Sequence, residues 1–262
     1  MSSKKTVQNI NTEKTFVSPE YIRNRFSTIM SDMYKNEVPL YGDLLDLVHE
    51  INKDILSASK EIKEQLAHTG EITRLNMERH GAIRLGKPYE LFTMRRLFKV
   101  MGMFPLGYYD LASAGVPVHS TAFRAIENTA LNQAPFRVFT SLLRLDLIDD
   151  EKLRNNIETI IENRQIFTEK ALQLIDKSEK EGGLNKEDTE IFVQEALETF
   201  WLAVLTGDSA DNIKGAKGIG EGKAPELLEG LKTNEEFRNK VIEVYKEVQS
   251  KEESKGRSWN WK

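Results

Sequence analysis

The stretch ERHGAIRLG, from Glu78 to Gly86, decides the fold of this chain. Its glycines and the nearby Pro88 interrupt helical periodicity, which indicates a strand bounded by turns. The apolar segment from Phe136 to Leu147, with Arg137 and Arg144 interspersed, indicates another strand. Because helical patterns flank both segments, the sequence predicts an α+β fold with a mixed sheet.

Helical patterns lie on both sides of these strands. Ser18-Pro19-Glu20 supplies an N-cap, a proline for the first turn and an acidic first-turn residue, so a helix is expected to follow. Further along, the Gly182-Gly183 pair predicts a break before a helix that restarts at Asn185. A second N-terminal helix has apolar residues that are expected to face the core: Leu44, Leu47, Val48, Ile51 and Ile55.

Composition limits the classes of function. The chain has 262 residues, 39% of them hydrophobic, which is enough for a substantial core. Its net charge of -4 argues against a protein that coats nucleic acid or anionic membrane by bulk charge. The absence of cysteine excludes disulfides and thiolate metal sites, so a metal site would use histidine and carboxylate. A polar N-terminus and the lack of a long apolar run predict a cytoplasmic protein without a membrane span.

Two histidines are candidates for chemistry. His80 lies four residues before Arg84 in a glycine-containing segment, so an imidazole and a guanidinium can face one cavity. For His119, beside valine and serine, two interpretations stay open: a hydrogen-bonded core or rim residue, which is favoured, and a metal ligand. His49 and His68 lie in polar, helix-like surroundings and are interpreted as surface or packing residues.

Four long strings carry a family resemblance: ERHGAIRLG, VMGMFPLGYYDLASAGVPVHSTAFR, PFRVFTSLLRLDLI and GGLNKEDTEIFVQEALETF. In this order they resemble the N-terminal part of the 2-oxoadipate dioxygenase/decarboxylases, also called hydroxyglutarate synthases, from about Phe16 to Phe200. The resemblance implies a vicinal-oxygen-chelate type fold and a non-haem Fe(II) held by two histidines and a carboxylate. It also implies oxidative decarboxylation of 2-oxoadipate to 2-hydroxyglutarate with molecular oxygen.

The resemblance also assigns residues. His80 matches the first iron-binding histidine, Arg84 matches the catalytic arginine that engages a substrate carboxylate, and Arg124 is placed in the same pocket. The second histidine and the carboxylate ligand belong to the family's C-terminal half, and neither motif has a counterpart in this sequence. We therefore expect impaired turnover, with a 2-oxo acid and oxygen as reactants if the protein is active. An uncovered apolar face is expected to favour self-association.

The segment LTGDSADNIKGAKGIGEGKAPELL, from Leu205 to Leu228, resembles a different family, the helix-hairpin-helix region of phage and bacterial 5'-nucleases. Asp208 and Asp211 stand three residues apart, and the resemblance implies that they help to hold Mg²⁺. The hairpin is expected to bind DNA phosphates without regard to sequence. The residues assigned to DNA binding are Lys214, Lys217, Gly218 and Gly220.

The two resemblances predict four regions: a disordered N-terminus (1–15), a dioxygenase-like portion (16–200), a helical helix-hairpin-helix module (201–250) and a frayed tail (251–262). The apolar run from Phe200 to Leu205 predicts a helix that continues across the boundary. Three hypotheses of function remain open. They are an impaired dioxygenase/decarboxylase, a DNA-binding accessory related to 5'-nucleases, and a chimeric chain without selected function.

Overall fold

The computed structural model describes residues 15–37, 39–72, 75, 77, 80–206, 223–228, 230, 231 and 234–253. Its helices and strands are, in chain order, α1 (Pro19–Glu37), α2 (Pro39–Ala58), α3 (Lys60–His68), β1 (His80–Leu85), α4 (Pro88–Val100), β2 (Phe104–Asp110), β3 (Val118–Arg124), α5 (Asn128–Gln133), β4 (Arg137–Leu143), α6 (Glu151–Glu162), α7 (Glu169–Glu181), α8 (Lys186–Thr206), α9 (Lys223–Leu228) and α10 (Asn234–Glu253). Short 3₁₀ turns lie at Ala112–Ala114 and Leu145–Leu147.

The four strands form one sheet in the order β1-β4-β3-β2. β1 runs parallel to β4, whereas β3 is antiparallel to both β4 and β2. The register of β2 on β3 shifts between Leu106 and Tyr109, and Gly107 within this irregularity has a φ of 77°, which favours glycine. The predicted α+β class and mixed sheet are confirmed, while the vicinal-oxygen-chelate topology stays a prediction.

Alternation along β1 gives the sheet two unlike faces. Gly81, Ile83 and Leu85 are buried, whereas His80 is exposed and Arg84 is partly buried. Successive strand residues point to opposite sides, so the first three define a core face and the other two define the outer face of the sheet. Strand-strand register carries this division to the other strands.

One large apolar cluster fills the core face and joins it to the helices. The Phe26 ring of α1 lies 5.9 Å from that of Phe136 and 5.7 Å from that of Phe200 in α8. The same cluster contains Leu228 of α9 and, from α10, Phe237, Val241, Val244 and Val248. The C-terminal helices therefore share a core with the first 200 residues, and the division into a dioxygenase-like portion and a separate module stays a prediction.

A buried arginine also fastens α1 to its neighbours. Arg23 donates to the carbonyl oxygens of Met101 (2.7 Å), Ala130 (2.8 Å) and Ala134 (2.9 Å). Burial lowers the pKa of this guanidinium, although the nearby Glu20 carboxylate acts in the opposite direction. Each of its three nitrogens donates to one carbonyl oxygen, which makes its burial tolerable.

Several helix ends predicted from sequence are confirmed. The Tyr21 amide donates to Ser18 Oγ at 3.2 Å, so Ser18 caps α1. Gly182, with a φ of 90°, ends α7, and Asn185 Oδ1 accepts from the Asp188 amide at 2.8 Å at the start of α8. α8 extends without a break through Thr206, as the apolar run after Phe200 predicted.

The predicted core role of the apolar residues on α2 is wrong. Leu44, Leu47, Val48, Ile51 and Ile55 are 40–53% exposed. α2 instead meets α1 through an adjacent side, where the rings of Tyr34 and Tyr41 are 6.0 Å apart. Apolar periodicity identifies the face of a helix that can be buried, but it does not specify what covers that face.

Several predicted features lie outside the described residues: the N-terminus before residue 15, the tail from residue 254, and the proposed Mg²⁺ and DNA ligands Asp208, Asp211, Lys214, Lys217, Gly218 and Gly220. The helix-hairpin-helix, its ion and its DNA therefore stay predictions. Among the helices that the structure describes, none has both the length and the apolar character needed to cross a bilayer.

Substitution of two glycines by alanine is expected to have opposite effects. A Cβ at Gly86 would lie 2.8 Å from Ile161 Cγ2, so Gly86→Ala should destabilise the fold by about 1–3 kcal/mol. At Gly42, in α2, a Cβ meets nothing within 4 Å, so Gly42→Ala should stabilise by about 0.5–1 kcal/mol. Denaturant unfolding of both variants measures the difference, and equal free energies would contradict the close packing of α6 on Gly86.

The carboxyl of Glu198 should make stability depend on pH. Burial, helped by the nearby Glu195 carboxylate, raises the pKa of Glu198 from 4.5 to about 7. The stabilisation from protonated Glu198 is complete below pH 4.5 and is lost as the pH rises through about 7. Glu198→Gln stays neutral, so its gain in Tm over the unaltered chain should be larger above pH 7 than near pH 4.5.

The exposed Glu187→Gln on the same helix is the control, because it removes a carboxylate without removing a buried one. The same pH dependence of Tm in both variants would show that Glu198 is not the group responsible.

Candidate functional site

The outer face of the sheet brings together side chains from all four strands. Cross-strand partners share a face, so the register extends the face of His80 and Arg84 across the sheet. It comprises His80, Ala82 and Arg84 of β1; Arg137, Phe139 and Ser141 of β4; Ser120, Ala122 and Arg124 of β3; and Phe104, Leu106 and Tyr109 of β2. All three residues that the sequence assigned to the oxygenase site, His80, Arg84 and Arg124, therefore lie on one face.

A polar row crosses this face at the level of Arg84. Arg84 pairs with Ser141, Ser141 with Ser120, and Ser120 with Tyr109. The two serine hydroxyls are 2.8 Å apart and form a buried hydrogen bond. At the adjoining end of the face, Val118 and Leu143 pack against Ile157 and Ile161 of α6, which encloses the row on that side.

The other end of the face is cationic. His80 of β1 is opposite Arg137 of β4. On the same face, Arg124 of β3 is opposite Phe104 of the edge strand β2. His80 and Arg84 are four residues apart, so their Cα atoms are separated by about 13 Å along the strand. The two side chains share a face but stand at different ends of it, so a ligand that reached both would be extended.

His80 also lines a cavity of about 340 Å³ between α1, α2 and the start of β1. Its lining includes Asp46 and His49 of α2 and Lys35 of α1. His49 is exposed, as the sequence predicted, and it also lines the cavity that His80 lines. Within the residues described, no three histidine or carboxylate side chains come together as a metal site requires. The iron ligand set implied by the resemblance is therefore not complete in this part of the chain.

His119 points away from His80. Because it is one residue out of phase with Ser120, it lies on the opposite face of β3. Its Nδ1 is 2.8 Å from the Tyr108 hydroxyl and 2.6 Å from Arg144 Nη1. The interpretation of His119 as a hydrogen-bonded residue is confirmed. Arg144 in turn donates to both carboxylate oxygens of Asp146 and holds the pKa of that carboxyl below its ordinary value.

A buried network fixes the backbone at Arg84. Arg164 Nη2 donates to the Arg84 carbonyl oxygen at 2.9 Å, and Arg164 Nε is 3.4 Å from Glu90 Oε1. The other carboxylate oxygen of Glu90 accepts from the amides of Gly86 at 2.7 Å and Lys87 at 3.3 Å. Glu90 is 1% exposed and Arg164 is 6% exposed, so this network holds the end of β1 from inside the protein.

Neither α4 nor this network was predicted from the sequence. The signal was present: Pro88 occupies the first turn of α4, and Glu90 reaches back to the amides that precede the helix. Arg164 could not be linked to Arg84 from sequence, because the two residues are eighty positions apart and no local pattern joins them.

Comparison with known proteins identifies the family. The family model described as "2-oxoadipate dioxygenase/decarboxylase" matches residues 26–211. The chain belongs to the 2-oxoadipate dioxygenase/decarboxylase family. It is 62% identical over 185 residues to the Pseudomonas putida 2-oxoadipate dioxygenase/decarboxylase, covering 71% of this chain and 40% of that protein. It is 52% identical over 193 residues to the Escherichia coli protein, covering 73% and 43%.

Solved structures extend the comparison. The hydroxyglutarate synthase from Pseudomonas putida is similar with a TM-score of 0.70 and 46% identity, over 92% of this chain and 55% of that one. A structure of that synthase in complex with 2-oxoadipate gives the same TM-score and identity. The chain spans about two fifths of the length of the curated relatives it matches. The family match continues past Phe200 to Asp211, into the segment for which the sequence predicted a helix-hairpin-helix.

Removal of Arg164 should be costly. Arg164→Met leaves the buried Glu90 carboxylate without its cation, and the expected loss is about 3–5 kcal/mol of unfolding free energy. Arg25→Met breaks the pair with Glu190, whose side chains are 40% and 41% exposed, and should cost about 0–1 kcal/mol. Urea denaturation compares the two variants, and similar losses would mean that the Glu90–Arg164 pair does not stabilise β1.

Proposed function

We propose that this chain carries the N-terminal part of a non-haem iron dioxygenase/decarboxylase site and binds a 2-oxo dicarboxylic acid such as 2-oxoadipate on the outer face of the sheet. The observation that carries the proposal is the placement of Arg84 and His80 on one face, inside the segment matched by the family model. The relative crystallised with 2-oxoadipate supports a 2-oxo acid as the ligand class.

Arg84 is the residue proposed to engage a substrate carboxylate. A guanidinium presents two parallel N–H donors that match the two oxygens of a carboxylate. The Arg84 carbonyl is held by Arg164 and its strand by β4, so the side chain projects from a fixed backbone. Ser141, its cross-strand neighbour, adds a hydroxyl beside the guanidinium.

The opposite end of the outer face suits the second charged group of such a ligand. Arg124 and Arg137 give this end positive charge, which attracts a dianion. Arg124 is thus proposed to line the substrate pocket, as the resemblance implied. Between the two charged ends, Ala82 and Phe139 present an apolar surface to a carbon chain.

His80 is proposed as the iron ligand that this part of the chain provides. Bound Fe(II) held by two histidines and a carboxylate leaves open positions for oxygen and a chelating 2-oxo acid. The described residues do not gather the second histidine and the carboxylate around His80. We therefore derive no reaction step through iron and propose that turnover by this chain alone is impaired.

Ligand binding and turnover can be tested separately. Calorimetric titration with 2-oxoadipate should show that Arg84→Met weakens binding by about 10- to 100-fold, because a charge-assisted hydrogen bond is lost. Arg95→Met, which removes the same charge from an exposed position on α4, should leave the affinity unchanged. Equal affinities of the two variants would exclude Arg84 from the substrate site.

Turnover is tested with Fe(II), 2-oxoadipate and oxygen. The amount of 2-hydroxyglutarate formed should not exceed that formed with His80→Ala, because one histidine holds Fe(II) weakly. Formation above that control would contradict the proposed impairment and show that the chain completes its iron site.

A further inference from the structure

The segment that contains α2 and α3 is among the least buried parts of the described chain. None of its described side chains between residues 40 and 68 is buried. α2 nevertheless carries an apolar stripe along one side, hereafter the α2 stripe: Leu40 (76% exposed), Leu44 (53%), Leu47 (53%), Ile51 (48%) and Ile55 (45%). Because helices in proteins gain most of their stability from packing an apolar face, this exposure is unusual.

The α2 stripe is continuous. Its members follow one another at intervals of three or four residues, so they form one line along the helix. From Leu40 to Ile55 this line is about 22 Å long, from the rise of an α-helix. Single exposed apolar residues are ordinary, but a contiguous apolar patch marks an interaction site. The length corresponds to a partner helix of about four turns.

The two borders of the stripe differ. Asp43, Glu50 and Asp54 are separated by seven and four residues, so their side chains follow one border of the stripe. The other border carries Tyr41 and Leu45, which line the cavity between α2 and α1. The border with Asp43, Glu50 and Asp54 is therefore acidic. The border with Tyr41 and Leu45 adjoins α1.

We propose that the α2 stripe docks an amphipathic helix of a partner polypeptide whose apolar face is bordered by lysine or arginine. An apolar helix face seated on an apolar surface is a recurrent mode of recognition. Basic side chains would meet the border formed by Asp43, Glu50 and Asp54, and such charge complementarity selects the partner and its orientation.

A second copy of this chain fits the stripe less well. When a two-fold axis relates two antiparallel helices, the same border of each helix lies on the same side of the pair. Asp43 and Asp54 of one copy would then approach the acidic border of the other, and like charges at an interface oppose association. The charges around the stripe therefore favour a basic partner over the self-association that the sequence predicted.

The test uses two synthetic helical peptides with the same leucine spacing, one bordered by lysine and the other by glutamate. Fluorescence anisotropy with the full chain should show saturable binding of the lysine peptide and at least about tenfold weaker binding of the glutamate peptide. The difference should shrink as salt is raised. A chain with Asp43→Asn, Glu50→Gln and Asp54→Asn should bind the two peptides alike.

Variants of the stripe complete the experiment. Ile51→Gln should weaken binding of the lysine peptide by at least about tenfold, whereas Ile160→Gln, at a 54% exposed isoleucine of α6, should not. Equal binding of the two peptides, or no saturable binding of either, overturns the proposal. Sedimentation velocity that shows an Ile51-dependent dimer would assign the stripe to a second copy and overturn it as well.

Discussion

The buried carboxylate of Glu90 is the constraint on which the outer face of the sheet depends. β1 is an edge strand of the described sheet, with β4 on one side, so its other backbone groups need partners elsewhere. Glu90 accepts from the Gly86 amide, and Arg164, paired with Glu90, donates to the Arg84 carbonyl. A slip of β1 by one residue would turn His80 and Arg84 towards the core. The network therefore fixes which side chains reach the outer face.

Local features of the sequence predicted much of the fold. Caps at Ser18 and Gly182 depend on neighbouring residues, and the strand at His80–Leu85 is bounded by turn residues, so both are readable without tertiary information. The exposure of the apolar face of α2 was not predictable in this way. Its periodicity shows an apolar face, but whether another element covers that face depends on packing between residues far apart in sequence.

The candidate site likewise has some features that follow from local sequence and others that depend on tertiary packing. His80 and Arg84 are separated by an even number of residues in a strand, so their common face follows from local geometry. The contact between Ser120 and Ser141 depends on the register of β3 against β4, and His49 reaches the His80 cavity only through the docking of α2 on α1. No single stretch of sequence contains that information. His119, like His80, is a lone histidine in the sequence. It is one residue out of phase with Ser120, however, so it lies on the other face of the sheet and contacts Arg144.

The core and the proposed ligand-binding residues lie on opposite faces of the sheet. The core face joins the strands to α1, α4, α8 and α10 in one aromatic-rich cluster, so the fold is held without ligands on the outer face. The outer face can then carry Arg84 at one end and Arg124 and Arg137 at the other, an arrangement of like charges that packing alone would disfavour. Such an arrangement is understandable if a ligand with two carboxylates neutralises it. Charges that weaken the free protein would thereby strengthen the complex, which is the expected signature of a binding face rather than of a structural one.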